Sequence, residues 1–371
     1  MATAPDRMII AAQCNDHSAY LAGVPFDRFY TDARTFAKTQ LLVTEYYGFD
    51  APNTMWDGYN IEAEALGQKM MFSPNKMPDV DRREQLLENP SHLDHLKIPD
   101  PYKSGRMPWV HEVNKTYIEL TGSPARAYFC APFSLAVNIR GYMNLVIDIN
   151  TNPEFVHRLF AFLCDDVLVP FIEAMRHEIG RPDSLADGSD AWASPPNVNL
   201  DMVDEFVVPY TERLRERLGK KVVTRGQWGD ARSGDPERFM EQKLKCCPGF
   251  LSALDPDLHE LGPRRIKDFA VKHNVRIDAG IDATLIRSGP IDAIVGRIRN
   301  YIDVMGRDGK CIIFLNHIPF DTPPEHIHAA VAAVHTYGRF PIAENLAEVP
   351  LKIPQRESFS EFLHKKGETI D

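Results

Sequence analysis

The feature that most constrains the fold is a regular alternation of strand and helix patterns that begins near residue 125. Short runs of β-branched and aromatic residues, apolar on both faces as in buried parallel strands, alternate with amphipathic stretches. The predicted strands are 125–131, 184–186, 221–224, 250–254, 275–279 and 311–315. The predicted helices are 134–147, 153–180, 200–218, 235–245, 262–273, 289–305 and a last one that opens at Pro323 and ends at Gly338. This order predicts parallel βαβ units.

The first 124 residues are less regular. We predict strands at 8–13, 53–57 and 69–73, a long helix at 26–48, a helical turn at 62–67 and a surface linker at 86–97. With about eight strands and no Gly-rich dinucleotide fingerprint after the first, an α/β fold of the (β/α)8 TIM-barrel type with an N-terminal helical or irregular extension is favoured over a doubly wound sheet. We expect a single domain over 1–371, with an N-terminal part at 1–124, regular βα units at 125–345 and a C-terminal tail at 346–371.

Composition excludes some classes of partner. Of the 371 residues, 44% are hydrophobic and 25% are charged, as in ordinary globular enzymes. Nucleic acids and anionic membranes need a basic surface, but the net charge is −10, so neither is expected as a partner. Neither a secretory leader nor a membrane span is recognisable, which predicts a cytoplasmic protein. The six cysteines are scattered without metal-ligand spacing and are expected to be reduced core thiols.

In a barrel of this type, the loops that leave the C-terminal ends of the strands carry the chemistry. Polar side chains at or near these points are Asp57, Asn138, Arg140, Asp187, Asp190, Arg225, Gln227, Asp230, Asp255, Asp278, Asp282, Asn316 and His317. Three of the four tryptophans, Trp56, Trp192 and Trp228, stand at the same points, which indicates an aromatic-lined pocket for a flat or cationic ligand. For each of these residues, packing, helix capping or a salt bridge is the alternative role.

Four segments carry a resemblance to a known superfamily. They are GYNIEAEALG (58–67), CAPFSLA (130–136), Ile281-Asp282 after Gly280, and DTPPEHI (321–327), which runs on to VHTYG (334–338). With them the chain resembles the uroporphyrinogen decarboxylase superfamily, which includes the haem-pathway decarboxylase and the methyltransferases that serve corrinoid proteins and coenzyme M. The resemblance implies a barrel fold and is compatible with a homodimer.

The chain departs from both enzyme types at the site. The zinc-dependent methyltransferases hold their metal with a His-x-Cys pair and a further cysteine, and the matching positions here are Gly226, Trp228 and Asn316. None of these is a zinc ligand, so the family zinc site is expected to be lost and no metal is predicted. The decarboxylase's arginine-rich N-terminal stretch has no counterpart, its essential tyrosine matches Asn138, and Asp57 is the one candidate for its strand-end aspartate.

The function that the resemblance favours is a methyltransferase or demethylase that moves a methyl group from a small aromatic compound to a corrinoid (cobalamin), free or carried by a corrinoid protein. A proton must then reach the leaving atom, and the candidate donors are His317, Asp57 and Asp190. The predicted substrate-binding residues are Trp56, Tyr59, Asn138, Arg140, Trp192, Arg225, Gln227, Trp228, Asp278 and Asn316. Of these, Arg140 or Arg225 is expected to pair with a substrate carboxylate.

Two alternatives stay open. The first is a carbon–carbon lyase that decarboxylates a small aromatic or pyrrole acid without a corrinoid, with the same arginines holding the carboxylate. The second is a non-catalytic barrel that binds a ligand without turnover.

Overall fold

The computed structural model describes residues 6–74 and 76–370. Its strands are β1 (Ile10–Ala12), β2 (Met70–Ser73), β3 (Lys76–Val80), β4 (Ala127–Cys130), β5 (Ala186–Ser189), β6 (Val222–Arg225), β7 (Phe250–Leu254), β8 (Arg276–Ile281) and β9 (Cys311–Leu315). Its helices are α1 (Asn15–Leu21), α2 (Phe26–Phe29), α3 (Ala33–Tyr47), α4 (Ile61–Leu66), α5 (Met107–Thr121), α6 (Pro132–Arg140), α7 (Tyr142–Thr151), α8 (Pro153–Phe162), α9 (Val169–Glu178), α10 (Leu200–Phe206), α11 (Val208–Leu218), α12 (Pro236–Cys246), α13 (Asp257–Leu261), α14 (Pro263–Lys272), α15 (Ala283–Ser288), α16 (Ile291–Tyr301), α17 (Pro324–Tyr337) and α18 (Phe359–Lys366). Two 3₁₀ turns, Pro90–His95 and Asp230–Arg232, and two π-helical turns, Leu163–Leu168 and Ile302–Gly306, complete the elements of the described part.

The described residues form two compact units. The first unit contains the described residues of 1–25, 38–53 and 249–371, and the second contains those of 26–37 and 54–248.

The first unit is built on a parallel four-stranded sheet in the order β1-β9-β8-β7. Ile10 lies opposite Ile313, and Ile277 lies opposite Cys311. The side chains of Ile277, Ile281 and Ile313 are fully buried, as the apolar character of these strands on both faces predicts. Burial of these strands supplies much of the hydrophobic stabilisation of this unit.

The second unit contains a parallel sheet in the order β4-β5-β6 and an antiparallel hairpin of β2 and β3. Gly188 in β5 has a structural reason, because an added Cβ atom would collide with the Phe129 ring of β4. Two of the helices that follow the strands have clear start signals: Pro132 opens α6 in its first turn, and Asn199 caps α10 by accepting the backbone N–H of Met202.

Several predicted elements need correction. Residues 53–57 form no strand, and the hairpin partner β3 was not predicted. The predicted helix 26–48 is two helices, α2 and α3, and the predicted helix 134–147 breaks at Gly141, whose φ of +80° ends α6. Strand β5 begins two residues and ends three residues later than predicted, so that Asp187 is inside the strand. In the predicted surface linker 86–97, Leu87 and Leu93 are buried.

The predicted helix 200–218 is also two helices, α10 and α11, and the predicted helix 153–180 is α8 and α9 joined by the π-helical turn Leu163–Leu168. The remaining strands and helices from residue 125 onward lie within a few residues of their predicted positions. Across residues 6–74 and 76–370, none of the helices combines the length and the apolar character that a membrane crossing requires.

Candidate active site

The centre of the candidate site is a buried carboxyl group immediately after β5. Asp190 follows Ser189, the last residue of this strand, and its side chain is almost completely buried. One carboxyl oxygen, Oδ1, accepts the backbone N–H of Ser134 at 2.9 Å and the Ser134 hydroxyl at 2.7 Å. Burial raises the pKa of Asp190 to about 7, although both Ser134 hydrogen bonds oppose the rise by favouring the ionised form. Near neutral pH this carboxyl group can therefore give or take a proton.

The aromatic side chain nearest in sequence to this carboxyl is Trp192. Its backbone N–H donates to the Ser134 hydroxyl at 3.1 Å, so Ser134 contacts both Asp190 and Trp192. The indole stacks on Tyr142, with ring centroids 5.5 Å apart and an angle of 26° between the planes. The guanidinium carbon of Arg82 lies 5.4 Å from the centroid of the Trp192 ring. The indole therefore has an aromatic ring and a cation as neighbours.

The loop after β6 packs against the loop after β5. The backbone N–H of Trp228 donates to the Ser194 hydroxyl at 3.0 Å. Gly229 has a φ of +87°, and an added Cβ atom would lie against the carbonyl oxygen of Pro195. Trp228 itself is 41% exposed, while Gln227 is buried. The two loops therefore act as one packed surface that presents the Trp228 ring to solvent.

Asn138 lies one helical turn after Ser134 on α6. Its side-chain amide donates to the carbonyl oxygen of Tyr59 at 2.5 Å, and its own oxygen accepts from Arg82 Nη2 at 3.5 Å. Burial raises the pKa of the Tyr59 phenol, and the Ser189 side chain is hydrogen-bonded to it. The sequence-predicted residues Tyr59, Asn138, Asp190 and Trp192 are thus joined by a continuous set of contacts through Ser134, Ser189 and Arg82.

Asp57 and Trp56 are buried on the segment before α4. Asp57 accepts from Asn60 at 2.5 Å through Oδ1 and from Arg106 at 2.6 Å through Oδ2, so both its oxygens are engaged. Burial raises the pKa of Asp57, although the Arg106 guanidinium opposes the rise. Trp56 packs edge-on against Tyr128 with centroids 5.6 Å apart. These contacts are those of structural residues, and the catalytic and binding roles predicted for Asp57 and Trp56 stay predictions.

Both arginines that were expected to hold a substrate carboxylate have carboxylate partners within the protein. Arg140 is buried, donates to Asp148 at 2.7 and 3.3 Å and also donates to the carbonyl oxygens of Leu87 and Glu88. Arg225 makes a bidentate pair with Asp187 on the neighbouring strand, with the closest N–O distance at 2.5 Å. Four of the five N–H groups of Arg140 are thus engaged within the protein, and the substrate-binding roles predicted for Arg140 and Arg225 stay predictions.

Three predicted site residues belong to the first unit. His317 follows β9 after Asn316, is exposed, and has a φ of +49° in the left-handed region. Asn316 is half-buried, and its backbone N–H donates to the carbonyl oxygen of Ile281. Asp278 is the third residue of β8 and is buried within the strand rather than at its end.

Sequence reasoning missed three residues that complete the site of the second unit. Ser134 lies inside the CAPFSLA motif, which could have indicated its role. Tyr142 opens α7, a helix that was not predicted as separate. Arg82 follows β3, and its position could not be inferred because the hairpin itself was not predicted.

The donor chemistry does not fit the family's zinc ion. Glycine, tryptophan and asparagine occupy the matched positions 226, 228 and 316, and these side chains supply neither a thiolate nor an imidazole. Within residues 6–74 and 76–370, no three His, Cys, Asp or Glu side chains are grouped so as to hold a metal ion. We therefore derive no step through zinc.

A cavity of about 760 Å³ lies elsewhere in the second unit, at the N-terminal ends of β4, β5 and β6. Residues that line it include Pro124, Arg126, Ile179, Arg181, Ser184 and Lys221. In barrel enzymes this end of the strands contributes to stability, and the opposite end carries the chemistry, so we place the candidate site at the opposite end.

The family model described as uroporphyrinogen decarboxylase (URO-D) matches residues 5–337, which is most of the chain. The chain belongs to the uroporphyrinogen decarboxylase family. The resemblance inferred from the four sequence segments is therefore confirmed, and the chain belongs to a family of enzymes.

One curated protein and one solved structure are similar to this chain. A uroporphyrinogen decarboxylase of Anaeromyxobacter dehalogenans (strain 2CP-C) is 21% identical over 315 residues, which cover 81% of this chain and 85% of that protein. A solved structure of a methyltransferase from Methanosarcina mazei matches with a TM-score of 0.72 and 16% identity over 89% of this chain and 94% of that one. The likeness in structure, together with the parallel strands that alternate with helices, confirms the predicted (β/α)8 fold class.

Proposed function

We propose that this member of the uroporphyrinogen decarboxylase family is a methyltransferase that moves a methyl group from a small aromatic compound to a corrinoid. The observation that carries the proposal is the buried Asp190 carboxyl, whose pKa of about 7 suits a proton donor and which is joined through the Ser134 hydroxyl to the backbone of Trp192. The solved structure of similar fold from Methanosarcina mazei is a methyltransferase, which supports this reaction class.

Methyl transfer from an aromatic compound has two requirements that the protein must meet. The ring that carries the methyl group must be held in one orientation, and the oxygen or nitrogen that loses the methyl group must receive a proton. The stacked rings of Trp192 and Tyr142 offer an aromatic wall against which the substrate ring can pack. Asp190 supplies the proton, and the electron pair of the broken carbon–oxygen or carbon–nitrogen bond stays on the protonated leaving group. The corrinoid is a second substrate, free or on a partner protein, and supplies the cobalt(I) nucleophile that accepts the methyl group.

A decarboxylase is the second candidate, and the curated relative named uroporphyrinogen decarboxylase favours it. In that reaction Asp190 would protonate the carbanion that remains after carbon dioxide leaves. Arg140 would not hold the carboxylate in that reaction, since its guanidinium donates to Asp148 and to two backbone carbonyl groups. A decarboxylase would need a cation elsewhere to hold the departing carboxylate.

The experiment that tests the proposal is an absorbance assay with purified protein, reduced cobalamin and a panel of methoxylated phenols, methoxylated aromatic acids and quaternary amines. Parallel samples with carboxyl-labelled aromatic and pyrrole acids report carbon dioxide release. We expect methylcobalamin to form with an aromatic donor and its rate to fall at least about a hundredfold in Asp190→Asn, since general acids contribute 10²–10⁴-fold. Asp165→Asn is the matched control, because it removes a carboxylate that pairs with Arg213 on the helices and not at a strand end.

Carbon dioxide release without methylcobalamin would replace the proposal by the decarboxylase. If methylcobalamin forms equally fast with the Asp190→Asn variant, methyl transfer stands, but Asp190 is not its proton donor and the observation on which the proposal rests is lost.

A further inference from the structure

We infer that the aromatic substrate carries a carboxylate and that Arg82, stacked on Trp192, binds it. The identity of the reaction rests on the proposed function, whereas the ligand class rests on the contacts of Arg82. Sequence reasoning assigned this task to Arg140 or Arg225, and both of these have internal carboxylate partners.

Arg82 takes part in a closed circuit of contacts. The Ser134 hydroxyl binds Asp190 and the backbone of Trp192, the Trp192 ring faces the Arg82 guanidinium, and Arg82 donates to Asn138. Asn138 and Ser134 lie one turn apart on α6, and this spacing puts their two side chains on the same side of the helix. The set of contacts is therefore closed. The circuit therefore brings a proton donor, an aromatic side chain and a cation into one set of contacts.

Arg82 can exchange its present partner in the protein for a ligand. Nη2 donates to Asp79 at 3.0 Å and to Asn138 at 3.5 Å, and the Nε and Nη1 groups donate to no acceptor among residues 6–74 and 76–370. The Arg82 and Asp79 side chains are 41% and 39% exposed. An ion pair of this exposure is weak in water, so a substrate carboxylate can compete with it. The buried pairs of Arg106 and Arg140 offer no such exchange.

The position of Arg82 over the Trp192 ring also determines which charge a ligand can carry there. The sequence alone allowed a flat or a cationic ligand at the tryptophans. Arg82 already occupies one face of Trp192 as a cation–π partner, so a quaternary ammonium group would meet a like charge there. A carboxylate instead gains the guanidinium's N–H groups, which match its geometry. This favours aromatic acids and disfavours aromatic ammonium compounds.

The test is a binding measurement that needs no turnover. Tryptophan fluorescence and calorimetry would compare 4-methoxybenzoate, its neutral amide 4-methoxybenzamide and phenyltrimethylammonium on the full-length protein. We expect the wild type to bind the acid at least about tenfold more tightly than the amide, and the ammonium compound most weakly, with a preference for the acid that declines as salt is added. The preference for the acid over the amide should disappear in Arg82→Gln.

Arg83→Gln is the matched control, because it removes the same charge from the neighbouring residue, whose guanidinium pairs with Asp81. It should keep the preference. Equal wild-type affinity for acid and amide, a preference that persists in Arg82→Gln, or no binding of either compound would overturn the inference. If the preference is present but no methylcobalamin forms from any donor, the proposed reaction fails and the inference stands. If a neutral methoxyarene is as good a donor as the acid, the reaction stands and the inference fails.

Discussion

Ser134 donates both its backbone N–H and its hydroxyl to the same oxygen of Asp190, at 2.9 and 2.7 Å. The two residues come from different βα units, because Ser134 lies in the first turn of α6 after β4, and Asp190 follows β5. The positive end of α6 and two hydrogen bonds favour the carboxylate, whereas burial favours the neutral acid. Burial has the larger effect, and the result is an acid that titrates near neutral pH.

The first prediction is a pH dependence of activity. If Asp190 must be protonated to act, kcat/KM should be constant on the acidic side and fall about tenfold per pH unit above a pKa of about 7. Asp190→Asn should show no such limb. In Ser134→Ala the hydroxyl that favours the carboxylate is lost, so the pKa of Asp190 rises and the limb should move upward by about one pH unit. Methyl-transfer rates across pH 5.5–9 measure this, and a limb that moves downward in Ser134→Ala would contradict the assignment.

The strands from residue 125 onward could be predicted because each is a short apolar run bounded by turn residues. Strand β3 could not, since its sequence Lys-Met-Pro-Asp-Val contains a proline and two charges, and only pairing with β2 makes it a strand. The end of α6 could not be predicted either, because it is the positive φ of Gly141, and not local helix propensity, that ends this helix.

The site shows why the place of a residue at the end of a strand is easier to predict than the residues with which its side chain interacts. Asp190 and Trp192 were predicted because they follow a strand, and strand ends are read from local pattern. Arg140 donates hydrogen bonds to Asp148 and to the carbonyl groups of Leu87 and Glu88. These hydrogen bonds depend on where distant segments of the chain pack, and the local sequence pattern does not contain that information. Arg82 was missed for the same reason, because its contact with Trp192 joins residues 110 positions apart.

The second prediction concerns the buried ion pair of Arg106 and Asp57. Arg106→Gln leaves a buried carboxyl without its cation and should lower the free energy of unfolding by about 3–5 kcal/mol. Arg34→Gln is the control, since the Arg34 and Glu119 side chains are 61% and 62% exposed and their pair contributes at most about 1 kcal/mol. Urea denaturation gives both values. Equal and small losses in the two variants would show that the Arg106 network does not stabilise the fold.

The third prediction separates a steric clash from backbone strain at Gly229. Gly229 and Gly234 have similar φ angles of +87° and +79°, so alanine should cost about 1–2 kcal/mol of strain at either position. A Cβ atom at Gly229 would also press on the Pro195 carbonyl group, whereas at Gly234 nothing lies within 4 Å. Gly229→Ala should therefore lower the melting temperature clearly more than Gly234→Ala and alter the near-ultraviolet circular dichroism of Trp228. Similar spectra and melting temperatures for the two variants would mean that the loops after β5 and β6 are not packed together.

The fourth prediction concerns the backbone at His317, where φ is +49°. A side chain in the left-handed region costs about 1–2 kcal/mol, and strain of this kind is often retained at functional positions. His317→Gly and His317→Ala both remove the imidazole, but only glycine relieves the strain, so the glycine variant should be the more stable by about 1 kcal/mol in urea denaturation. The same pair of substitutions at Asn274, where φ is +53°, is the matched control and should give a difference of the same sign. The catalytic role predicted for His317 adds a separate expectation, that kcat falls to the same extent in both His317 variants because each lacks the imidazole. Full activity in both would remove His317 from the catalytic candidates, since a strained backbone alone does not transfer a proton.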